Sequence, residues 1–194
     1  EDFKKELEEE YGAVNINLED GTYTAIEKEE EVARNINWKL LSLEWDNLFN
    51  YGEGNKIRFD KLNGVVGILG KNFSGKSSII DSLLFTLFNS TSKNSRKNLN
   101  IINQNKEIGT GRVEILVNGR VYSVERSSEK YVKRLKGEET LEAKTDLNFK
   151  YVNELGNTVS VNGLSRGDTD KNIRKVFGTL DDFLLTSMAS QHGA

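Results

Sequence analysis

The chain has 194 residues and a mass of 21.9 kDa; 36% of its residues are hydrophobic and 29% are charged. This length suits one α/β domain and is too short for two of full size. A net charge of −3 excludes a chain-wide basic coat, so any contact with DNA has to be local. No apolar run approaches the length of a membrane span, and the lack of cysteine excludes disulfides and thiolate zinc sites.

The N-terminus carries no recognisable targeting segment. The first residue is Glu1 rather than Met, and no basic-then-apolar leader follows it. We therefore expect a fragment or processed chain without a signal peptide. The absence of cysteine fits a reducing cytoplasm, which would be the host cytoplasm if the source is viral.

Residues 1–37 form an expected N-terminal extension whose role the sequence does not indicate. Residues 1–10 are almost all charged, and residues 26–36 mix acids with spaced apolar residues, a pattern typical of solvated helices. Between them, Val14, Ile16 and Leu18 alternate with asparagines and lead to Asp20-Gly21. This alternation, followed by a turn dipeptide, predicts a small β-hairpin.

From residue 38 the pattern changes to short strands followed by one strongly periodic helix. Strands are predicted at 38–45 and 56–59, and the apolar run 64–69 predicts a buried strand. Residues 77–88 place apolar side chains three and four positions apart, which predicts a helix with a broad apolar face.

The rest of the chain is predicted to be mostly β until its last part. Residues 89–105 are polar and predict a mobile loop or a poorly anchored short helix. Asn118-Gly119 predicts a hairpin turn between strands 112–117 and 120–126. Further predicted strands cover residues 131–135, 146–152 and 158–161. Asp168 or Thr169 is the expected cap of a helix that ends before Gly178, and residues 180–190 resume a helical pattern.

Residues 70–78 contain the phosphate-loop pattern G-x-x-x-x-G-K-[ST]. Its glycines allow successive backbone N–H groups to converge on phosphate oxygens. Lys76 is expected to reach the β and γ phosphates, and the Ser77 hydroxyl to hold Mg²⁺. The remaining expected contacts with ATP come from Gly70, Asn72, Phe73, Ser74, Gly75 and Ser78. A lone motif could be a chance match, but an apolar run before it and an amphipathic helix after it are the context it requires.

The sequence lacks a clear second acid for hydrolysis. P-loop ATPases place such an acid at the end of an apolar strand, where it holds Mg²⁺ and positions water. The downstream candidates do not close a run of four apolar residues: Glu114, Glu125, Asp146 and Asp181. Either the chain is part of an ATPase, or it binds nucleotide without hydrolysing it.

Four segments of the sequence resemble the N-terminal lobe of SMC-like ABC ATPases. They are residues 38–49 (from Trp38-Lys39-Leu40-Leu41 to Asn47-Leu48-Phe49), residues 63–81, the hairpin 113–126, and the ending Asp181-Asp182-Phe183 to Gln191. More narrowly, they are similar to the ATPase subunit of double-strand-break-repair nuclease complexes of the SbcC type, including phage versions. The resemblance covers residues 38–194. It implies an α/β lobe with a mixed β-sheet wrapped on the P-loop helix, and with antiparallel hairpins.

The resemblance also implies a shared site. In this family a coiled coil follows the N-terminal lobe, and the C-terminal lobe of the same protein carries the signature motif and the acidic strand. Two copies then dimerise on ATP and control a partner nuclease on DNA. By position, Gln191 matches the glutamine that ligates the metal and senses the γ phosphate. Asn47 and Phe49 occupy positions near the nucleotide, although Phe49 replaces an Arg of many relatives and Phe73 replaces a Gly.

Other interpretations stay open for several residues. Phe49 could fill the core, Arg126 matches a family Arg but could form an ordinary strand-end salt bridge, and His192 is expected to be a surface residue. Two basic clusters are candidates for DNA contact or for solvated surface: Lys93, Arg96 and Lys97, and Lys130, Lys133, Arg134 and Lys136. Alternatives to the ATPase lobe are a small-molecule or nucleoside kinase and a non-hydrolysing, nucleotide-gated interaction module.

Overall fold

A computed structural model describes residues 14–16, 23–25, 38–72, 74–92, 98–135 and 137–187. The chain divides into two units, residues 1–35 and 36–194. In the first unit, strands β1 (Val14–Ile16) and β2 (Tyr23–Ala25) pair antiparallel, which confirms the predicted hairpin. The helices predicted for 1–10 and 26–36 lie outside the described residues.

The second unit is built on a six-stranded sheet. Its strands are β3 (Trp38–Asp46), β4 (Asn55–Arg58), β5 (Ile108–Val117), β6 (Arg120–Leu135), β7 (Glu138–Val152) and β8 (Thr158–Ser160). They lie in the order β4-β3-β5-β6-β7-β8, and every pairing among them is antiparallel. Asn118 and Gly119 both have positive φ between β5 and β6, as a two-residue hairpin turn requires.

In the described part of this unit, three α-helices accompany the sheet: α1 (Lys76–Phe88), α2 (Arg166–Phe177) and α3 (Leu180–Ser187). Side chains alternate across a strand, so one face of the sheet is apolar and the other carries charges. The apolar face joins the helices in one core, which includes Leu43, Val113, Val124, Phe149, Leu84, Phe85, Ile173, Phe177 and Phe183. Each fully buried side chain of this kind contributes about 1.5–3 kcal/mol.

Helix α1 is more deeply buried than an amphipathic pattern predicts, because every residue from 81 to 88 is buried. Its polar side chains are satisfied locally: the Ser82 hydroxyl donates to Ser78 O at 2.8 Å, and the Thr86 hydroxyl donates to Ser82 O at 2.7 Å. Strand β5 meets the helix at Gly111, where an added Cβ would lie 1.9 Å from Thr86 Oγ1. Only glycine allows this close approach.

Arg126 lies in the middle of β6 and not at a strand end, because β6 continues to Leu135. Its side chain is completely buried and forms an ion pair of 2.6 Å with Asp170 of α2. It also donates to the carbonyl oxygens of Thr86 and Leu87 at the C-terminal end of α1. Arg126 does form a salt bridge, but the expected strand-end position is wrong. The buried guanidinium also binds carbonyls at the negative dipole end of α1, and so joins that helix to α2.

The caps of α2 and α3 follow the local sequence, with one correction. The Ser165 hydroxyl, not Asp168 or Thr169, caps α2 by accepting from the backbone N–H of Asp168 at 3.2 Å. The Asp168 carboxylate in turn accepts from the Ser165 hydroxyl at 2.7 Å, so the two side chains form a reciprocal arrangement like a capping box. Gly178 ends α2 as predicted, and Thr179 forms the equivalent box with Asp182 at the start of α3.

Part of the polar stretch 89–105 is firmly anchored, contrary to the expectation of a mobile loop. Residues 98–100 form a 3₁₀ turn, and Ile101 and Ile102 are buried. The Asn98 amide donates to Thr145 Oγ1 at 2.8 Å. A single pair of isoleucines in a polar run carries little periodicity, so the sequence does not predict that this segment is anchored.

Residues 64–69 form no strand, which contradicts the prediction of a buried one. Val65 and Leu69 are fully exposed, and Val66 and Ile68 are about half exposed. A strand needs a neighbour to pair its backbone groups, and none of the strands in the described part of the chain pairs with this segment. The apolar run thus enters the phosphate loop without a partner.

Candidate functional site

The phosphate loop lies at the N-terminus of α1. Gly75 is the N-cap residue, with φ +92°, a conformation that disfavours any other residue. Among the residues that the structure describes, no side chain caps this end, and the first turn contains no acid. The first N–H groups of α1 are therefore not satisfied by a side chain, and the positive end of the helix dipole is not neutralised.

Lys76 lies at the first helical position, where its charge adds to that of the helix end. Its ammonium donates to Gly70 O and to Lys71 O, each at 2.7 Å. These two bonds hold the Lys76 side chain against the loop, so its charge stays next to the backbone of Gly70 and Lys71. Phosphate oxygens are stronger acceptors than neutral carbonyls, so a polyphosphate in the loop would compete for this ammonium.

The other predicted loop residues surround the same point. Ser77 is exposed in the first turn of α1, and the Ser78 N–H donates to Gly75 O at 3.0 Å. Ser74 lies against Gly70, because a Cβ on Gly70 would be 2.9 Å from Ser74 Oγ. Asn72 is exposed. Phe73 and Gln191 lie outside the described residues, so their assignments stay predictions.

A tight turn at residues 47–51, which we call the anchor turn, lies beside the loop. Asn47 and Phe49 both have φ +54°, which is unusual for a residue as bulky as Phe. Backbone hydrogen bonds hold this conformation: Phe49 N donates to Ile101 O at 2.6 Å, and Asn103 N donates to Asn47 O at 2.8 Å. Phe49 packs against the apolar core.

The next two residues of the anchor turn reach the phosphate loop, and the sequence did not indicate either of them. The Tyr51 hydroxyl donates to Gly75 O at 3.0 Å. The Asn50 amide would lie 2.6–2.7 Å from a Cβ placed on Gly75, so it packs directly on that glycine. Burial raises the pKa of Tyr51, so its hydroxyl remains a donor at neutral pH.

These residues fit the triphosphate of ATP with Mg²⁺. The unfilled helix N-terminus and the folded lysine supply N–H donors and a positive charge at one point. The Ser77 hydroxyl is exposed, and it is the oxygen that such a motif would offer to Mg²⁺. Among the described residues, no group of three or more His, Asp or Glu side chains could hold a metal ion by itself.

Two of the four acids considered for hydrolysis, Glu114 and Glu125, face away from α1. Glu114 and Glu125 alternate with the apolar residues of β5 and β6, and so lie on the opposite face of the sheet from α1. There they form ion pairs with Arg112 at 2.9 and 3.5 Å.

The second basic cluster is largely occupied by contacts within the chain. Lys133 pairs with Glu142 and Arg134 with Glu139, while the Lys130 ammonium donates to the carbonyls of Asn103 and Gln104. These contacts favour the interpretation of a solvated surface over one of a DNA site. Lys136, His192 and the cluster of Lys93, Arg96 and Lys97 lie outside the described residues. None of the described helices combines the length and apolar character needed to cross a membrane.

The chain is similar to several known proteins. An uncharacterised protein, R555, of Acanthamoeba polyphaga mimivirus is 30% identical over 160 residues, which cover 79% of this chain and 11% of that protein. The DNA double-strand break repair Rad50 ATPase of Sulfolobus acidocaldarius is 40% identical over 60 residues, 31% of this chain and 7% of that protein. The chain thus spans about a tenth of the length of the curated relatives that it matches.

Among solved structures, the recombination mediator protein RecF with ATP aligns with a TM-score of 0.42 and 17% identity, over 63% of this chain and 28% of that one. Residues 42–187, which include the phosphate loop and most of the sheet, match the family described as AAA domain. The match to the Rad50 ATPase agrees with the resemblance to SMC-like ABC ATPases. Because the family model covers most of the chain, the chain belongs to the AAA domain family.

Proposed function

We propose that this chain is the phosphate-binding half of an ATP-hydrolysing site in a DNA-repair or recombination ATPase of the Rad50 type. In this proposal residues 38–194 are the N-terminal lobe, and residues 1–37 are an extension of unknown role. The lobe works in the cytoplasm as part of a protein that dimerises on ATP and controls a partner nuclease on DNA ends.

The observation that carries the proposal is the unpaired apolar run beside the loop. Val65 and Leu69 are fully exposed, yet the phosphate loop begins at the next residue, Gly70, and leads into a helix that is buried in the core. Burying these side chains would gain about 1.5–3 kcal/mol each. We infer that neighbouring strands from another polypeptide segment, the C-terminal lobe, pair with residues 64–69.

The same pairing would supply what the described residues lack. In P-loop ATPases the second acid sits at the end of a strand next to the one that leads into the loop. A partner strand beside residues 64–69 would end near Ser77, and its acid would complete the metal site there. Gln191 is proposed as a further ligand of the same metal.

Each residue of this chain then has a limited task. Lys76 and the first N–H groups of α1 bind the phosphates, and Ser77 contributes its hydroxyl to the metal. Bound Mg²⁺ would neutralise charge on the β and γ phosphates. The groups that position water are proposed to lie outside this half of the site.

A complementation assay tests the proposal. ATP hydrolysis is measured for this chain alone, for the C-terminal lobe alone and for the two mixed. We expect little turnover from either part and a clear gain from the mixture, which Lys76→Ala abolishes. Vigorous hydrolysis by this chain alone would contradict the shared site and favour a kinase-like or self-sufficient enzyme. ATP binding with no gain from the mixture would favour a nucleotide-gated interaction module.

A further inference from the structure

We propose that Tyr51 is a positioning residue for the phosphate loop. Its hydroxyl fixes the peptide unit between Gly75 and Lys76, and so aims the Lys76 N–H at the bound phosphate. The inference rests on the proposed ATP binding, and assigns a role to a residue outside the phosphate-loop motif.

The geometry of the peptide bond links the two groups. In a trans peptide the carbonyl oxygen of one residue and the N–H of the next point in opposite directions. Gly75 O accepts from the Tyr51 hydroxyl at 3.0 Å and from the Ser78 N–H at 3.0 Å. With the carbonyl held on that side, the Lys76 N–H is held toward the open end of α1, where the motif places the phosphates.

This restraint matters because a glycine backbone is intrinsically flexible, and the Tyr51 hydroxyl adds to the restraint that the Ser78 N–H places on Gly75 O. Its φ of +92° is accessible to glycine without strain, but a glycine also has many other conformations available. A loop that changes conformation has to be ordered each time nucleotide binds, and this ordering reduces affinity. A hydrogen bond that already holds the bound-like orientation removes that cost.

Tyr51 is itself held from three directions, as a positioning residue has to be. Its ring packs edge-to-face on Trp45, with centroids 5.2 Å apart. Its backbone N–H donates to Leu48 O at 3.0 Å, and its carbonyl accepts from the Asn103 amide at 2.9 Å. The positive φ of Phe49 is further support, because strained backbone persists where surrounding contacts over-determine it, often at functional sites.

The test is the affinity of the chain for ATP with Mg²⁺ after Tyr51→Phe. This change keeps the ring on Trp45 and removes only the hydroxyl. We expect the Kd to rise about three- to tenfold, the effect of one ordinary hydrogen bond, with an unfolding curve close to that of the unchanged chain. Tyr131→Phe is the matched control, because it deletes a hydroxyl bonded to Glu142 on the exposed hairpin. It should leave the Kd unchanged.

The outcomes separate the two proposals. If the unchanged chain binds ATP, Lys76→Ala weakens binding and Tyr51→Phe does not, the role of Tyr51 is refuted and the proposed function stands. If the unchanged chain does not bind, the proposed function fails.

A second variant keeps the test decisive if Tyr51→Phe loses cooperative unfolding. Asn103→Ala removes the amide that holds the Tyr51 carbonyl and leaves the phenol in place. It should raise the Kd about two- to fivefold, and an unchanged Kd in this variant would overturn the role of Tyr51.

Discussion

Removal of the Asp170 carboxylate is the sharpest test of how α1 is held. The Asp170→Ala change leaves the Arg126 guanidinium in the core, where its side chain has no exposed area, without its counter-charge. Breaking a buried ion pair on one side costs about 3–5 kcal/mol. Asp170 is 21% exposed, and Arg126 keeps its bonds to the carbonyls of Thr86 and Leu87, so the cost should be lower. We expect a loss of about 2–3 kcal/mol.

Urea unfolding followed by tryptophan fluorescence measures this loss, because Trp38 and Trp45 both lie in β3 beside the core. With a urea dependence of about 2 kcal/mol per M, the midpoint should fall by about 1–1.5 M. Glu139→Ala is the control, since it breaks a pair with Arg134 in which both side chains are largely exposed. It should produce no measurable shift.

Two results would refute this account of Arg126. One is an Asp170→Ala midpoint that matches the Glu139→Ala midpoint, because the two carbonyls would then satisfy the buried cation by themselves. The other concerns Arg126→Met combined with Asp170→Ala. Removing both charges should cost less than the sum of the two single changes, and strict additivity would mean that the pair is not coupled.

Three further predictions concern other contacts. Gly111→Ala should lower the free energy of unfolding, measured in urea, by about 1–3 kcal/mol, because the added Cβ would overlap Thr86 Oγ1. Adding Thr86→Ala to this variant should recover part of the loss. Equal stability of Gly111→Ala and the unchanged chain would refute the close approach. Ser165→Ala should cost about 1 kcal/mol at pH 7. The Ser165 hydroxyl lowers the pKa of Asp168, so the box stabilises the fold above the ordinary pKa of Asp and loses this effect as pH falls through the lowered value. Asp168→Asn should therefore weaken the fall in stability with acid, and an identical acid profile would exclude the effect. Val65→Asp changes a fully exposed position, so it should leave the unfolding midpoint of the chain almost unchanged. It should abolish the gain in ATP hydrolysis that follows mixing with the C-terminal lobe. An undiminished gain would argue against pairing at residues 64–69.

Local signals in the sequence predicted much of the fold. The Asn118-Gly119 turn and the alternation around it were sufficient for the central hairpin, and the spacing of apolar residues located α1 to within one residue. Gly178 marked the end of α2. Each of these features depends on residues close to one another in the chain.

Features that depend on distant residues were missed. The burial of Arg126 needs α1 and α2, which lie about 40 residues away on either side. The strand predicted at residues 64–69 requires neighbours that the described residues do not provide. Tyr51 resembles any core aromatic residue in the sequence, and only its approach to Gly75, 24 positions later, indicates a role. The prediction of the phosphate loop needs no distant contact, because the chemistry of the motif is confined to nine consecutive residues.

Equilibrium binding of ATP with Mg²⁺ tests the central claim most directly. Lys76→Ala should raise the Kd about 10- to 100-fold, as expected for a charge-assisted contact worth about 1.5–3 kcal/mol. It should barely change stability, since Lys76 donates only to carbonyls of its own loop. Lys71→Ala, an exposed lysine in the same loop, should bind ATP nearly as the unchanged chain does. Undiminished affinity in Lys76→Ala would contradict the assignment of residues 70–78 as the phosphate-binding loop.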